Sequence, residues 1–312
     1  MTISVIGTVF VDVKGHAHNK INSDTKNVGH VSFSHGGVGR NVAEAICRAG
    51  GKVDFYSSVD LTAEGTAVLD RLQKIGIGTD NVVQLDKGMG MWLAVLDNDG
   101  DLAASVSQKP DLSKLERLVQ GQGEDMVRTS DAVVIELDLA ASVVEKVFAW
   151  SEQYNTPVYG IVGNLEVLLA NPALIDRLEL FTCNQSEAET FLERSLTSVE
   201  ECKMAARDMT AGGLNMAVIT MGAEGSVFYD RKTDSFGYVP VQPVEVKDTT
   251  GAGDSFFSGT VYGLSSGFDL ERAVQCGTHL AAWTISSQEN VDPMISEKVK
   301  TNAYFQGIAS VR

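Results

Sequence analysis

Short apolar segments alternate with amphipathic segments of helical period along most of the chain, and this alternation restricts the possible folds more than any other feature. Strands are predicted at residues 3–7, 53–59, 132–137, 157–162, 178–183 and 216–221. Helices are predicted from Asn41 to a glycine C-cap at Gly50, at 63–76, and near 141–154, 186–194 and 198–211. Strand–helix–strand units give parallel strands with helices on both faces. We therefore expect an α/β fold, a three-layer α/β/α sandwich with a mostly parallel central sheet.

Two segments depart from this alternation. Residues 12–35 are polar and rich in Gly, Asn, Ser and His, and residues 89–107 contain two strand-like runs joined by the turn Asp97–Gly100. Turn formers between two such runs are typical of a β-hairpin. We expect both segments to form a small β lid on a single domain that comprises residues 1–312.

The charge balance restricts the partners. Lys and Arg number 25 against 41 Asp and Glu, which gives a net charge of -16. Such a surface repels the phosphates of nucleic acids, and no apolar run approaches the roughly 20 residues that span a bilayer. The four cysteines form no CxxC pair, and no targeting segment is expected. These features predict a cytoplasmic protein with a small-molecule substrate and with no nucleic-acid or membrane partner.

The sequence Asp248–Asp254, DTTGAGD, precedes an apolar helical run. Small residues at a helix N-terminus let the backbone N–H groups of Gly251, Ala252 and Gly253 converge on an anion. Asp254 falls in the first turn, where a carboxylate can accept a proton during phosphoryl transfer. The alternative is a glycine-rich helix start in which Asp254 only complements the helix dipole.

A second motif, Gly36–Asn41 with the sequence GGVGRN, opens the first long helix. Its glycines allow a ligand to approach closely, and the Asn41 amide both donates and accepts hydrogen bonds, which suits vicinal hydroxyls. The alternative is a flexible turn into a helix. In their order and separation, the two motifs resemble the PfkB (ribokinase-like) family of carbohydrate and nucleoside kinases, and the resemblance covers essentially the whole chain.

The resemblance implies a set of site residues. Asp254 matches the catalytic base, and the backbone of Gly251, Ala252 and Gly253 matches the anion hole. The residues that match substrate contacts are Asp12, Gly37, Asn41 and Glu136. The residues that match the nucleotide side, where ATP and Mg²⁺ bind, are Asn184, Glu187 (to magnesium through water), Thr220, Gly222 and Gly225.

Three further expectations follow from the resemblance. Asp248 and Thr250 fall where some members bind a monovalent cation, so K⁺ is a candidate cofactor. Related kinases often pair their lid sheets, which predicts a homodimer through the lid. His279 lies on the helix expected to border the adenine pocket, and packing and nucleotide contact both remain open for it.

The acceptor is predicted from finer similarities. GGVGRN, the hairpin LAVLDNDGDLAASVS and the late segment TISSQENVDP resemble pseudouridine kinases within the family. We therefore expect ATP-dependent phosphorylation of the pseudouridine 5′-hydroxyl, with Met91, Trp92 and Leu93 covering the base. The alternatives are ribose, a ketose or keto-sugar acid, another nucleoside, or a non-catalytic sugar-binding protein with this fold.

Overall fold

The structure, a computed structural model, describes residues 1–307. The strands are β1 (Thr2–Ile6), β2 (Phe10–Ala17), β3 (Gly29–Gly36), β4 (Lys52–Asp60), β5 (Val82–Leu85), β6 (Gly90–Leu96), β7 (Leu102–Gln108), β8 (Ala132–Glu136), β9 (Val158–Ile161), β10 (Leu180–Asn184), β11 (Met216–Thr220), β12 (Ser226–Asp230) and β13 (Ser235–Val239). The α-helices are α1 (Val38–Ala49), α2 (Ala63–Lys74), α3 (Ser113–Thr129), α4 (Ala141–Tyr154), α5 (Leu165–Ala170), α6 (Gln185–Leu192), α7 (Val199–Met209), α8 (Ala252–Ser265), α9 (Leu270–Ile285) and α10 (Ile295–Thr301).

The main sheet has the strand order β13-β12-β11-β10-β9-β8-β1-β4-β5. Its strands pair in parallel from β5 to β11, and only β12 and β13 are antiparallel to their neighbours. The mostly parallel sheet predicted from the alternation is therefore confirmed.

Helices cover both faces of this sheet because alternate strand residues point to opposite sides. On β8, Val133 and Ile135 pack into one core with helices α3, α4 and α7, whereas Ala132 and Val134 pack into a second core with α1, α8 and α9. Both cores are almost entirely aliphatic and aromatic, with most side chains fully removed from solvent. This arrangement is the expected α/β/α sandwich.

The predicted strands and helices agree with the structure to within about two residues at each end, apart from the start of α1, which lies at Val38 and not at Asn41. Helices α3, α5 and α10, the edge strand β5 and the antiparallel strands β12 and β13 were not among the predictions. The residues that join β12 to β13 form a tight turn with Asp234 at a positive φ of 52°, so the chain reverses without an intervening helix. That exception to the β–α alternation produces the antiparallel edge.

The two segments that interrupt the alternation form one separate four-stranded sheet with the order β3-β2-β6-β7, here called the small sheet. The 89–107 hairpin is confirmed, and its turn closes through a hydrogen bond from the Gly100 N–H to the Asp97 carbonyl. Residues 12–35 belong to a second hairpin, formed by β2 and β3, which extends from Phe10 to Gly36.

Within residues 1–307, no helix is both long enough and apolar enough to cross a membrane. The four cysteines are free thiols, and Cys183, Cys202 and Cys276 are buried. The last five residues of the C-terminal tail, 308–312, lie outside the described part of the chain.

Candidate active site

The predicted site residues gather where parallel strands of the main sheet end and the small sheet begins. Strands β1, β8, β10 and β11 present their carboxyl ends here, and helices α1 and α8 present their N-termini. Crevices at the carboxyl ends of parallel strands are the common ligand sites of α/β folds. The topology therefore brings residues from positions 8 to 290 to one edge of the sheet.

Asp254, in the first turn of α8, lies at the centre of this edge. Its Oδ2 accepts a 2.6 Å hydrogen bond from the amide Nδ2 of Asn41, so the two predicted motifs are in direct contact. Burial raises the pKa of Asp254 to about 6, against the opposing effects of the Asn41 hydrogen bond and the Arg40 charge. At neutral pH this carboxylate is ionised, yet basic enough to accept a proton.

The start of α8 needs glycine at position 251. Gly251 has a φ of 77°, and a Cβ there would lie 2.0 Å from the Asn290 carbonyl oxygen. Gly253 faces open space, and its N–H has no acceptor within the helix. The Ala252 N–H differs from the prediction, because it donates to the Thr249 carbonyl and is already engaged. The Ser255 N–H donates to the Gly251 carbonyl, so the free first-turn N–H groups that follow Ala252 are those of Gly253 and Asp254.

Asp12, on β2, approaches the same edge from the small sheet. Its Oδ2 accepts a 2.9 Å hydrogen bond from Nδ2 of Asn290, which lies beyond α9. Gly36 makes room for this carboxylate, since a Cβ on Gly36 would lie 2.4 Å from Asp12 Oδ2. Burial raises the pKa of Asp12, although the Asn290 hydrogen bond and the Lys14 and Arg40 charges oppose this effect.

Glu136 was predicted to contact the substrate, but its carboxylate is buried and bonded to groups of the protein itself. Its carboxylate, at the end of β8, accepts hydrogen bonds from the Thr8 N–H at 2.7 Å, the Thr8 hydroxyl at 2.9 Å and the Gly39 N–H at 3.1 Å. Burial and the nearby Asp138 charge raise the pKa of Glu136 to about 7. The side chain thus joins the end of β1 to the start of α1, where Gly37 is the N-cap with a φ of 94°.

On the nucleotide side, Asn184 and Thr220 are register partners at the ends of the parallel strands β10 and β11. Asn184 caps α6, and Glu187 completes a capping box, with reciprocal hydrogen bonds of 2.9 and 2.8 Å. This capping box occupies one of the two carboxylate oxygens of Glu187. After Thr220 the chain turns through Gly222 and Gly225, which have φ values of 56° and 93°.

The predicted monovalent-cation residues already contact a cation. Lys14, on β2, places its ammonium 2.9 Å from Asp248 Oδ2 and 3.1 Å from the Thr250 hydroxyl oxygen. The Asp248 pKa lies below its ordinary value, because hydrogen bonds from Thr250 and Lys14 outweigh the effect of burial. The fixed ammonium and these two side chains connect the small sheet to the start of α8.

Three residues of this region were missed by the sequence predictions: Lys14, Arg40 and Asn290. Arg40 and Asn290 lie inside quoted motifs and Lys14 lies two residues after Asp12, but only the folded chain brings Asn290 to Asp12 across 278 positions. The structure corrects the prediction that Met91, Trp92 and Leu93 together cover a base. Trp92 is the register partner of Asp12 and lies on the same face of the small sheet, whereas Met91 and Leu93 lie on the opposite face.

His279 packs against neighbouring aromatic rings. Its ring centroid lies 4.9 Å from that of Tyr304 and 5.8 Å from that of Trp283. Nδ1 lies 3.3 Å from the Asn302 amide nitrogen. These contacts support the packing alternative for His279.

Comparison with known proteins shows similarity to kinases over nearly the full length of the chain. Guanosine-inosine kinase of Exiguobacterium acetylicum is 40% identical over 289 residues, which covers 92% of this chain and 95% of that protein. Pseudouridine kinase of Escherichia coli is 23% identical, with 94% of this chain and 93% of that protein covered. Ribokinase from Giardia lamblia has the same fold, with a TM-score of 0.80 at 16% identity over 96% of this chain and 98% of its own.

The family model for pfkB family carbohydrate kinases matches residues 2–297, which includes every site residue described above. Members of this family are phosphotransferases with an alcohol group as acceptor. The chain therefore belongs to the pfkB family of carbohydrate kinases.

Proposed function

We propose that the protein transfers the γ-phosphoryl group of ATP to the 5′-hydroxyl of a nucleoside, with guanosine and inosine as the first candidate acceptors. One observation carries the chemistry. A carboxylate with a pKa of about 6 lies in the first turn of a helix whose glycine-rich start is open to an anion. A base and an anion site are thus adjacent, as phosphoryl transfer to an alcohol requires.

The residues divide the work as follows. Asp12 and Asn41 hold the ribose hydroxyls, and orientation of this kind supplies several kcal/mol of the rate enhancement, up to about 7–11 kcal/mol in ideal cases. Asp254 accepts the 5′-hydroxyl proton as the oxygen–phosphorus bond forms and the bond to the leaving ADP oxygen breaks. The N–H groups at the start of α8 stabilise the charge on the transferring group.

The nucleotide side suits ATP with Mg²⁺. Within residues 1–307 no three His, Cys, Asp or Glu side chains form a metal cluster. Mg²⁺ commonly binds through one or two protein groups, phosphate oxygens and water, so a single carboxylate such as that of Glu187 is enough for it. Glu187 would hold the ion through water, beside Asn184. When bound, Mg²⁺ neutralises charge on the phosphates.

K⁺ fits the side chains of Asp248 and Thr250 poorly, because the Lys14 ammonium is hydrogen bonded to both. We propose that this fixed ammonium takes the place of a free monovalent ion there. The arrangement supplies a positive charge beside the anion site without requiring an ion from solution.

The acceptor is inferred from two lines of support. The 40% identity over nearly the full length of a guanosine-inosine kinase favours a purine nucleoside. Trp92, beside Asp12 on the inner face of the small sheet, offers an aromatic surface for a base. Pseudouridine remains the second candidate, favoured by the GGVGRN motif and by a pseudouridine kinase among the relatives.

We also propose a homodimer through the small sheet. Phe33, Val13, Leu93 and Val106 are successive register partners and form an apolar row across all four strands. Phe33 and Val106 are 65% and 66% exposed, so the face turned away from the site is unusually apolar. A second copy of the same sheet matches this face in size and character. A cytoplasmic location stays a prediction from the sequence.

Product analysis tests the proposed reaction. The protein is incubated with Mg-ATP and guanosine, and the product is identified by ³¹P NMR and mass spectrometry. We expect guanosine 5′-monophosphate and ADP in equal amounts. The matched control, 5′-deoxyguanosine, lacks only the acceptor hydroxyl and should give neither product. Phosphorylation of this control would show that another hydroxyl is the acceptor.

A further inference from the structure

Arg40 is a charged side chain in the interior of the protein, with only 1% of its surface exposed. It precedes Asn41 in α1 and lies beneath the active site. Its guanidinium donates to the Gly36 carbonyl at 3.4 Å, to the His35 carbonyl, and to Oδ1 of Asn41. The remaining side of the guanidinium donates to Glu44 at 2.6 Å.

Glu44 compensates the buried charge and connects it to the surface. This carboxylate, 0% exposed, also pairs with Arg48 at 2.8 Å and with Arg71 at 2.9 Å. Arg71 continues to Glu289 at 3.0 Å. These contacts hold the Glu44 pKa at about 2, against the effect of burial. A buried Arg–Glu pair held by additional partners fixes the guanidinium in one orientation.

The chemistry of the two groups then fixes the Asn41 amide. A guanidinium has donors only, so the atom of Asn41 that faces Arg40 must be the carbonyl oxygen. The NH₂ group consequently faces Asp254, and Nδ2 donates to Oδ2 at 2.6 Å. With the opposite orientation, the amide would place its donor against Arg40 and its acceptor against the Asp254 carboxylate. Both contacts would be repulsive.

We propose that Arg40 is a positioning residue that locks the Asn41 amide as a donor to Asp254 and so keeps the base ionised. This inference rests on the proposed function of Asp254 as the general base. Arg40 acts through Asn41 and needs no contact with substrate.

The charged and polar groups that face Asp254 come from several elements. Asn41 and Arg40 on α1 favour the ionised carboxylate, whereas Asp12 on β2 disfavours it. Loss of the Asn41 hydrogen bond leaves burial and the Asp12 charge, both of which act in the direction of protonation. The acid side of the activity profile should therefore move to higher pH.

The experiment compares Arg40→Lys, which keeps a positive charge for Glu44 but has one nitrogen where the guanidinium uses separate nitrogens for Glu44 and the Asn41 oxygen, with Arg48→Met as the matched control. Arg48 contacts the same Glu44 but does not touch Asn41. We expect the pH at half-maximal kcat to rise by about one unit in Arg40→Lys, the scale of one hydrogen bond to a charged group. The pH at half-maximal kcat should change by no more than about 0.2 units in Arg48→Met. An unshifted profile in Arg40→Lys would overturn the proposal.

A double-mutant cycle separates positioning from a general loss of structure. In an Asn41→Ala background, Arg40→Lys should cause no further shift if Arg40 acts through Asn41. An equal, additive shift in that background would overturn the proposal. Thermal unfolding of each variant establishes that the proteins compared are folded.

A titration that needs no catalysis keeps this inference distinct from the proposed function. ¹³C NMR follows the Asp254 carboxyl carbon, assigned by its absence in Asp254→Asn, from pH 4 to pH 9. We expect a pKa near 6 in the wild type and about one unit higher in Arg40→Lys. Equal values would overturn the role of Arg40 even in an active kinase. A shifted value in a protein without kinase activity would overturn only the proposed function.

Discussion

Replacing the Asp254 carboxylate with an amide separates catalysis from stability. Asp254→Asn keeps the shape of the side chain and an oxygen that can accept the 2.6 Å hydrogen bond from Asn41. It removes only the basic group. Loss of a general base typically costs about 10²–10⁴-fold in kcat, and KM for either substrate should change little because the binding residues stay in place.

The same substitution should stabilise the fold at neutral pH. The Asp254 pKa is raised from 3.8 to about 6, so the native state binds the proton more tightly than the unfolded state does. Between these two values the native state carries more protons, and the unfolding free energy falls as the pH rises. Above pH 6 the ionised wild-type carboxylate therefore costs at most about 3 kcal/mol, a value reduced by partial solvent access.

Two assays check these magnitudes. ADP release at pH 7.5 measures kcat, and urea unfolding at pH 5 and pH 8 measures stability. We expect Asp254→Asn to be nearly inactive. Its free energy of unfolding should exceed that of the wild type by more at pH 8 than at pH 5. Near-normal turnover would refute the general-base role. An equal difference in stability at both pH values would refute the raised pKa.

Substitutions at three further positions test neighbouring parts of the structure. Glu136→Ala leaves the N–H groups of Thr8 and Gly39 unpaired, so urea unfolding should show a loss of about 1–3 kcal/mol for each group, and Glu136→Gln should lose little. Lys14→Met should lower kcat about tenfold. Wild-type activity should be equal in K⁺ and tetramethylammonium buffers, and a requirement for K⁺ would contradict the role of the Lys14 ammonium. Phe33→Asp places a charge on the exposed apolar row, and light scattering should show a wild-type dimer and a monomeric variant.

Most of the fold follows from local sequence patterns. The β–α alternation dictates a mostly parallel sheet, and the turn at Asp97–Gly100 dictates the hairpin of the small sheet. The antiparallel edge of β12 and β13 was missed because the preceding alternation does not indicate that these strands follow one another without an intervening helix. The two glycine motifs were found because each places small residues at a helix start, a pattern visible within a few positions.

The missed parts of the site depend on long-range contacts. Arg40 looks like a surface residue of an amphipathic helix, and its burial becomes apparent only when Glu44 is found paired with Arg48 and Arg71. Similarly, the Lys14 ammonium meets Asp248 across 234 positions. Glu136 was placed correctly at a strand end, but the depth of its carboxylate depends on how closely Gly7 and Gly39 pack, which no local pattern shows.

Acceptor specificity is the most direct test of the proposed activity. Steady-state ADP release with Mg-ATP is measured in parallel for guanosine, inosine, pseudouridine and ribose, and kcat/KM is compared. We expect guanosine and inosine to exceed ribose by at least about 100-fold, since the base adds binding contacts that a free sugar lacks. Higher kcat/KM for ribose than for all three nucleosides would contradict a nucleoside kinase.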